Sequence, residues 1–147
     1  MRLQSTYNDP AASPGLSLWR VTMAWQARQR AALRAHQLTH VQFVILACLV
    51  DLDRPISQAE LARTMGVDAM MTSQVLRALE SRALVARSRD IDDTRVINVA
   101  PTSAGQELVN AAIGDVEATD RAFFAPLGQY HDSFVRHLNA LSASVSA

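Results

Sequence analysis

Residues 57–80 read SQAELARTMGVDAMMTSQVLRALE and contain the start and stop signals of two short helices. Ser57, with Glu60 three residues later, is a capping-box pattern and predicts the start of a helix. Gly66 predicts the end of that helix, and Asp68 predicts the N-cap of the next one. Two short helices separated by such a tight turn indicate a helix-turn-helix.

The second of these helices has two different faces. On a wheel of about 100° per residue one face is apolar, with Met71, Val75, Ala78 and Leu79, and Leu76 lies near its edge. The opposite face carries small and hydrogen-bonding side chains: Ala69, Met70, Ser73, Gln74, Arg77 and Glu80. Small side chains allow close entry into a DNA groove, while Gln and Arg make paired hydrogen bonds to base edges. This pattern favours a DNA-reading helix, with an ordinary solvated helix face as the alternative.

A β-hairpin is predicted directly after this helix, with strands near 84–89 and 96–99 and a polar tip between them. Arg87 and Arg89 lie at one end of the hairpin, and Arg95 lies just past the tip. Asp93, two residues before Arg95, can hold its guanidinium by a charge-assisted hydrogen bond. Such a wing can place an arginine in the minor groove beside the helix. The alternative is a salt-bridged hairpin without a partner.

The segments on either side are predicted to be helical. Residues 16–37 contain neither Gly nor Pro, and Thr39 predicts the N-cap of an almost wholly apolar, hence central, helix. Helical spacing resumes after Thr102, breaks at Pro126 and Gly128, and returns in a last amphipathic helix. That last helix carries the apolar stripe Phe134, Leu138, Leu141 and Val145. The first and last helices present more apolar surface than one small lobe covers, which predicts a homodimer.

Composition predicts one globular domain. The chain has 147 residues, 49% of them hydrophobic and 19% charged, and its fourteen basic residues, all Arg, balance fourteen acidic ones. A DNA contact must therefore rest on local charge, and residues 54–95 hold half of the arginines. Neither a membrane-spanning run nor a signal pattern is visible, and the single cysteine, Cys48, excludes an internal disulfide. We expect a cytoplasmic protein without membrane association.

Redox, metal-binding and catalytic sites have weaker support in the sequence. Cys48 lies in the most apolar segment and is interpreted as an inert buried thiol. His36 and His40 have a metal-ligand spacing, but the predicted cap at Thr39 separates them, so neither a metal nor a cofactor is expected. The carboxylates of the hairpin tip could hold a cation, although a solvated turn is the simpler interpretation. No nucleotide-binding or catalytic motif is present, so an enzyme is not predicted.

A small-molecule site is the remaining candidate. Trp25, Arg28, His40 and Phe43, with Trp19, could line an aromatic cleft for a phenolic or carboxylate ligand. The alternative is that the tryptophans belong to a dimer core.

The order of these elements resembles the MarR family of bacterial winged-helix transcription regulators. The resemblance covers residues 16–145 and rests on Leu79-Glu80, Leu84-Val85, Arg87, Asp93-Thr94-Arg95 and Thr102-Ser103-Ala104-Gly105 taken as a set. It implies a mainly α fold with a small β-hairpin wing (α+β). Residues 16–38 and 103–147 would form dimerisation helices and residues 39–102 the winged helix-turn-helix lobe. Residues 1–15 lie outside the resemblance, and their Asn, Asp, Pro, Ser and Gly residues predict a flexible N-terminal arm.

The resemblance also implies a function, namely a homodimer on a pseudo-palindromic operator. We expect a repressor, released by a small aromatic or phenolic effector bound between the dimerisation helices and the lobe. The expected contacts to double-stranded DNA come from the helix and the wing: Met70, Thr72, Ser73, Gln74, Arg77, Arg87, Arg89, Asp93 and Arg95. Ala83 departs from the family, which usually has Gly there, and predicts a differently built helix end. The alternative function is a winged-helix protein-interaction or dimerisation module without DNA binding.

Overall fold

The computed structural model describes residues 4–145 and consists of helices around a small three-stranded sheet. The α-helices are α1 (Pro14–Leu33), α2 (His40–Leu52), α3 (Gln58–Met65), α4 (Ala69–Ser81), α5 (Ser103–Phe124) and α6 (His131–Val145). The strands are β1 (Ile56–Ser57), β2 (Val85–Arg89) and β3 (Ile97–Pro101), and 3-10 turns cover Pro10–Ala12, Arg34–His36 and Ala125–Tyr130. The predicted fold class, mainly α with a β-hairpin wing, is confirmed.

The predicted N-caps all lie where the sequence placed them. The Thr39 hydroxyl accepts from the Gln42 N–H while the Gln42 side chain accepts from the Thr39 N–H, a complete capping box. The Asp68 carboxylate accepts from a backbone N–H in the first turn of α4. Ser57 caps α3 by accepting from the Glu60 N–H, but the Glu60 carboxylate pairs with Arg54 at 3.0 Å. The predicted capping box at Ser57 is therefore only half present.

Helix α1 differs from the prediction at both ends. It starts at Pro14 behind the Ser13 cap, inside the segment predicted as a flexible arm, of which residues 1–3 lie outside the described part. Its α-helical part ends at Leu33, and a 3-10 turn continues it to His36, where the left-handed Gln37 (φ 53°) ends the helical conformation. The helical segment therefore ends one residue before the predicted residue 37, with a last turn that is 3-10 instead of α.

The sheet has the order β1-β3-β2 and is antiparallel throughout. Strands β2 and β3 form the predicted hairpin, pairing Val85 with Pro101 and Arg89 with Ile97. Strand β1 was not predicted, since two residues carry no periodic signal. It joins α3 to the far edge of β3 through the pair Ile56 and Val99.

Helix α2 is central, as predicted. Ile45, Leu46 and Leu49 are completely buried, together with Leu76 of α4 and Val99 of β3. Their burial fixes both the helix-turn-helix and the sheet against one core.

The junction between α4, β2 and α5 is tightly built. Ala83 is left-handed (φ 56°) and ends α4 as a glycine would, so the expected difference in this helix end is wrong. The Thr102 hydroxyl donates to the Ala83 carbonyl at 2.7 Å and accepts from the Gly105 N–H at 3.1 Å. A Cβ on Gly105 would overlap the carbonyl oxygen of Leu84. The backbones of the lobe and of α5 therefore touch at this point.

The outer faces of α1 and α6 remain apolar and exposed, as Leu18, Trp19 and Leu141 illustrate. Within residues 4–145 no single helix has both the length and the apolar character to cross a membrane. Only Pro14–His36 and His40–Leu52 taken together reach that length and composition, and this pair is bent by 73°.

Candidate nucleic-acid interface

The buried face of α4 consists of Thr72, Val75, Leu76 and Leu79. Thr72 is completely buried, and its hydroxyl donates to the Asp68 carbonyl at 2.9 Å. The predicted DNA contact by Thr72 is therefore wrong, because the satisfied hydroxyl faces the core. Met71, placed on the apolar face by the wheel, is exposed instead.

The outward face of α4 carries the other predicted groove residues. Met70, Gln74 and Arg77 are exposed and Ser73 is half-buried. Within the described part of the chain neither the Gln74 amide nor the Arg77 guanidinium makes a hydrogen bond or ion pair. Both groups, one turn apart, are consequently free to bind a partner outside the chain.

The wing presents Arg95 in the predicted manner. Its side chain is 90% exposed, and the Asp93 carboxylate accepts from Nε at 3.1 Å and from Nη2 at 3.4 Å. The same carboxylate accepts from the Arg95 backbone N–H at 3.0 Å. Asp93 thus fixes both the backbone and the guanidinium of an otherwise fully solvated arginine.

The loop of the wing is folded around a single carboxylate. Asp90 accepts hydrogen bonds from the Asp92 and Asp93 N–H groups and from the Asn98 side-chain amide, at 2.9–3.1 Å. The Asn98 bond and the two backbone bonds hold the pKa of Asp90 below its ordinary value. These bonds favour the interpretation as a turn, and the residues described contain no cluster of three or more potential metal ligands.

The remaining wing arginines bind within the chain. Arg89, exposed, donates from Nη1 to the Thr94 carbonyl at 2.8 Å and so bridges the base of the loop. Arg87 donates from Nε at 2.8 Å and Nη2 at 2.5 Å to one oxygen of Glu80, and its side chain is only 19% exposed. The structure therefore turns Arg87 towards α4, a contact that was not predicted from the sequence.

Two of the four predicted ligand-site residues come together between α1 and α2. The rings of Trp25 and His40 pack edge to face at 4.9 Å, and the Trp25 indole N–H donates to Asp120 at 2.7 Å. Burial lowers the pKa of His40, as does Arg30 to a smaller degree, against the opposing effect of Asp120. This cluster is a half-buried polar site with an aromatic wall.

The other two predicted ligand residues lie elsewhere. Phe43 is buried in the core, so its predicted place in a cleft wall is wrong. Arg28 lies over the ring of Phe123 at 5.3 Å, a cation–π contact. Sequence reasoning missed Gln29, which is completely buried and donates to Asp120 at 2.6 Å. A buried amide within an Ala- and Arg-rich helix gives no pattern by which it could have been found.

Two open cavities flank the Trp25 cluster. One, of about 430 Å³, has Asp120 on its wall and lies between α5 and the start of α6. The other, of about 210 Å³, has Trp25 on its wall and lies between the apolar faces of α1 and α6. The larger cavity lies within the usual size range of small-molecule sites, whereas the smaller, apolar one is below that range and suits side chains of a partner helix.

The remaining candidates, the Cys48 thiol and the pair of His36 and His40, are occupied by contacts within the fold. Burial, with a smaller contribution from Asp51, raises the pKa of the half-buried Cys48 thiol, which disfavours a reactive thiolate. His36 bonds to Asp115 at 2.7 Å while His40 packs on Trp25, so the two histidines do not form a joint metal site.

Comparison with known proteins agrees with this geometry. A MarR family model matches residues 38–97. The HTH-type transcriptional regulator YdcH of Bacillus subtilis is 38% identical over 128 residues, which are 85% of this chain and 87% of YdcH. The HTH-type transcriptional repressor NicR of Pseudomonas putida is 40% identical over 77 residues, 52% of this chain and 48% of NicR.

Solved structures show the same fold. BpsR of Bordetella bronchiseptica, whose DNA binding is regulated by 6-hydroxynicotinic acid, superposes with a TM-score of 0.85 at 24% identity, covering 94% of this chain and 98% of its own. The repressor CouR on a 23-mer DNA duplex gives 0.85 at 24% identity, covering 95% and 99%. The family model covers the helix-turn-helix and most of the wing, and the similarity to YdcH extends over most of both chains. The chain therefore belongs to the MarR family of HTH-type transcriptional regulators.

Proposed function

We propose that this protein is a homodimeric repressor that binds a pseudo-palindromic operator and leaves it when a small aromatic or phenolic ligand binds. The observation that carries the DNA-binding part is that the helix and the wing each present one exposed arginine. Arg77 lies on the outer face of α4 without a hydrogen-bond or ion-pair partner among residues 4–145, and Asp93 holds the exposed Arg95 on the wing. A winged helix inserts these two elements into adjacent grooves.

The roles of the individual residues follow from their exposure. Gln74 and Arg77 read base edges in the major groove, Gln preferring adenine and Arg guanine. Met70 and Ser73 line the same face and allow close approach. Arg95 enters the minor groove, where the potential is most negative. Asp93 orients Arg95, and Arg89 braces the loop that carries it.

The dimer forms through the outer faces of α1 and α6. Leu18, Trp19 and Leu141 expose apolar surface there, and a two-fold partner buries the same surface on both copies. A two-fold dimer places its α4 helices in successive major grooves, so the half-sites of the operator are about one helical turn apart.

The ligand part is supported by the Trp25 cluster. An indole, an imidazole and the Asp120 carboxylate meet beside an open cavity of about 430 Å³, within the size range of small-molecule sites. BpsR responds to 6-hydroxynicotinic acid, and CouR of Rhodococcus jostii binds p-coumaroyl-CoA, both aromatic molecules. An aromatic effector of this chain packs on Trp25 and hydrogen-bonds to its polar neighbours.

The proposal places the protein in the cytoplasm, beside the DNA it binds, and assigns it no catalytic reaction. The family consists of transcription regulators, which supports the latter assignment.

The proposal is tested by letting the purified protein select DNA duplexes from a random pool. The selected duplex is then titrated with the protein at two salt concentrations. We expect an enriched inverted repeat and an affinity that falls steeply with salt through counterion release. Recovery of unenriched sequences with salt-independent binding would instead indicate a protein-interaction module. Addition of hydroxylated aromatic acids to the complex then tests release.

A further inference from the structure

The ion pair between Arg87 and Glu80 joins the wing to the recognition helix α4. Glu80 lies in the last turn of α4 and Arg87 at the centre of β2, seven residues later. Two guanidinium nitrogens of Arg87 donate to the same carboxylate oxygen, at 2.8 Å and 2.5 Å. Charge-assisted bonds of this kind are stronger and more directional than neutral ones. The pair is thus a short, stiff connection across the turn that contains Ala83.

The position of Arg87 in the sheet explains why it faces α4. Side chains alternate along a strand, so Arg87 shares its face of β2 with the buried Val85. Its cross-strand partner is Val99, which is completely buried and pairs in turn with Ile56 of β1. The stem of Arg87 therefore starts on the core side of the sheet, and only its guanidinium reaches the surface beside Glu80.

A comparison with Arg95 separates two roles for wing arginines. The side chain of Arg95 is 90% exposed, and that of Arg87 is 19% exposed. The carboxylate partner of Arg95 is two residues away on the same loop, whereas that of Arg87 belongs to a different element. Arg95 can move into a groove without disturbing the fold, while Arg87 would have to give up the ion pair that links the wing to α4.

We propose that Arg87 and Glu80 are positioning residues that fix the wing relative to α4, so that Arg77 and Arg95 engage adjacent grooves together. This inference rests on the proposed function, and it replaces the direct DNA contact that the sequence predicted for Arg87. Its consequence is that Arg87 contributes to sequence discrimination without contributing a counterion-releasing charge. A phosphate contact would do the opposite.

Titration of two duplexes over a range of salt concentrations tests this consequence. One duplex is the sequence that the wild-type protein selects, and the other is an unrelated sequence of equal length. For Arg87→Gln we expect an unchanged salt slope, about fivefold to tenfold weaker binding to the selected duplex, and little change on the unrelated one. Arg95→Gln is the matched control and should lower the slope by about one. A slope for Arg87→Gln that falls as it does for Arg95→Gln would overturn the proposal.

Two further single substitutions separate positioning from charge. Arg87→Lys keeps the positive charge but loses the planar fork, so it should resemble Arg87→Gln, whereas a phosphate contact predicts near wild-type binding. Glu80→Gln removes a negative charge near DNA, which simple electrostatics predicts to strengthen binding. We expect it to weaken binding to the selected duplex as much as Arg87→Gln does. Near wild-type binding by Arg87→Lys, or strengthened binding by Glu80→Gln, would contradict the proposal.

The double substitution Glu80→Arg with Arg87→Glu tests whether a reversed ion pair restores sequence discrimination. It restores an ion pair between α4 and β2, so it should recover most of the discrimination lost in either single variant. Failure to recover, in a protein whose circular dichroism is that of the wild type, would count against the pair as the cause.

A measurement without DNA keeps this inference separate from the proposed function. Amide hydrogen exchange of β2 and β3 should accelerate in Arg87→Gln and return towards the wild-type rate in the double variant. If the wild-type protein bound no DNA at all, the proposed function would fail and the positioning role in DNA reading would fail with it. If DNA binding were intact but exchange in the wing were unchanged by Arg87→Gln, only the positioning role would fail.

Discussion

Apolar side chains are buried in the winged lobe, residues 39–102, but exposed on the outer faces of the terminal helices α1 and α6. In the lobe, Leu46 and Val99 are completely buried within a single chain. On α6, Leu141 is 60% exposed, and Leu18 of α1 is similarly open. Both regions are rich in apolar residues, so the difference lies in what covers them. The lobe closes a core together with α5 and the end of α1, while the outer faces of the terminal helices present a surface that a second chain can cover.

The largest expected effect comes from helix α5, which connects the two regions. Gly105→Ala should lower the free energy of unfolding by about 3 kcal/mol or more, because the new Cβ meets the Leu84 carbonyl where lobe and helix touch. Gly114→Ala in the same helix has open space and should raise the free energy of unfolding by about 1 kcal/mol through helix propensity. Chemical denaturation of both variants measures the contrast. Equal effects of the two substitutions would show that the junction is looser than described.

The next effect concerns the open surface. Leu141→Asp should weaken dimerisation by about 2 kcal/mol or more, since a charge would be buried at an apolar two-fold contact. Light scattering against protein concentration measures the dissociation. Ile91→Asp, at the exposed wing tip, is the control and should leave the mass unchanged. A Leu141→Asp protein that stays dimeric would place the dimer contact elsewhere.

Arg95→Ala tests whether DNA binding belongs to the lobe. We expect a loss of about 1–2 kcal/mol in operator binding with an unchanged dimer, because the Arg95 side chain supports no core. Arg20→Ala removes an exposed charge from α1 and should leave operator binding near the wild-type value. Fluorescence anisotropy with the selected duplex measures both, and a larger loss for Arg20→Ala would reverse the assignment.

Ala83→Gly addresses the strain inside the closed lobe. Ala83 is held at φ 56°, a conformation that costs a residue with a Cβ about 1 kcal/mol relative to glycine. We therefore expect the substitution to raise the thermal midpoint by a few degrees, the opposite of the usual effect of glycine. A lowered midpoint would mean that flexibility of the unfolded chain outweighs the relieved strain.

The smallest effect is the pH dependence that His40 gives to the free energy of unfolding. Burial holds the pKa of His40 below the value of 6.5 expected in the unfolded chain. The unfolded state therefore binds a proton more readily than the folded state. As the pH drops through the pKa of the unfolded-state histidine, the free energy of unfolding falls. His40→Gln should show a smaller loss than the wild type between about pH 7.5 and 5.5 in urea denaturation. Parallel curves for the two proteins would contradict this contribution of His40.

Local signals in the sequence predicted the helix-turn-helix and the hairpin well. Thr39, Ser57 and Asp68 cap helices because short polar side chains satisfy free N–H groups next to them, an interaction within one turn. The holding of Arg95 by Asp93 is equally local, and it too was predicted correctly.

The missed features depend on contacts between elements. Thr72 is a different kind of miss: it lies on the buried face of α4, and its hydroxyl donates to the Asp68 carbonyl at the start of the same helix, so helical spacing could have placed it. The ion pair of Arg87 with Glu80 and the bond of Gln29 to Asp120 require the packing of separate elements, which no spacing reports. The sequence therefore identified the candidate arginines but could not distinguish the one facing solvent from the one facing the fold.

The hydrogen bonds around Asp90 have a kinetic consequence. Because three donors hold this carboxylate, the wing loop has its shape before DNA arrives. Loops that order only upon binding lose conformational entropy at that moment, which weakens the complex. Here that entropy is lost during folding, so the encounter with DNA needs only the docking of a ready-made wing. Discrimination between sequences should then lie in how long the protein stays on DNA rather than in how fast it arrives.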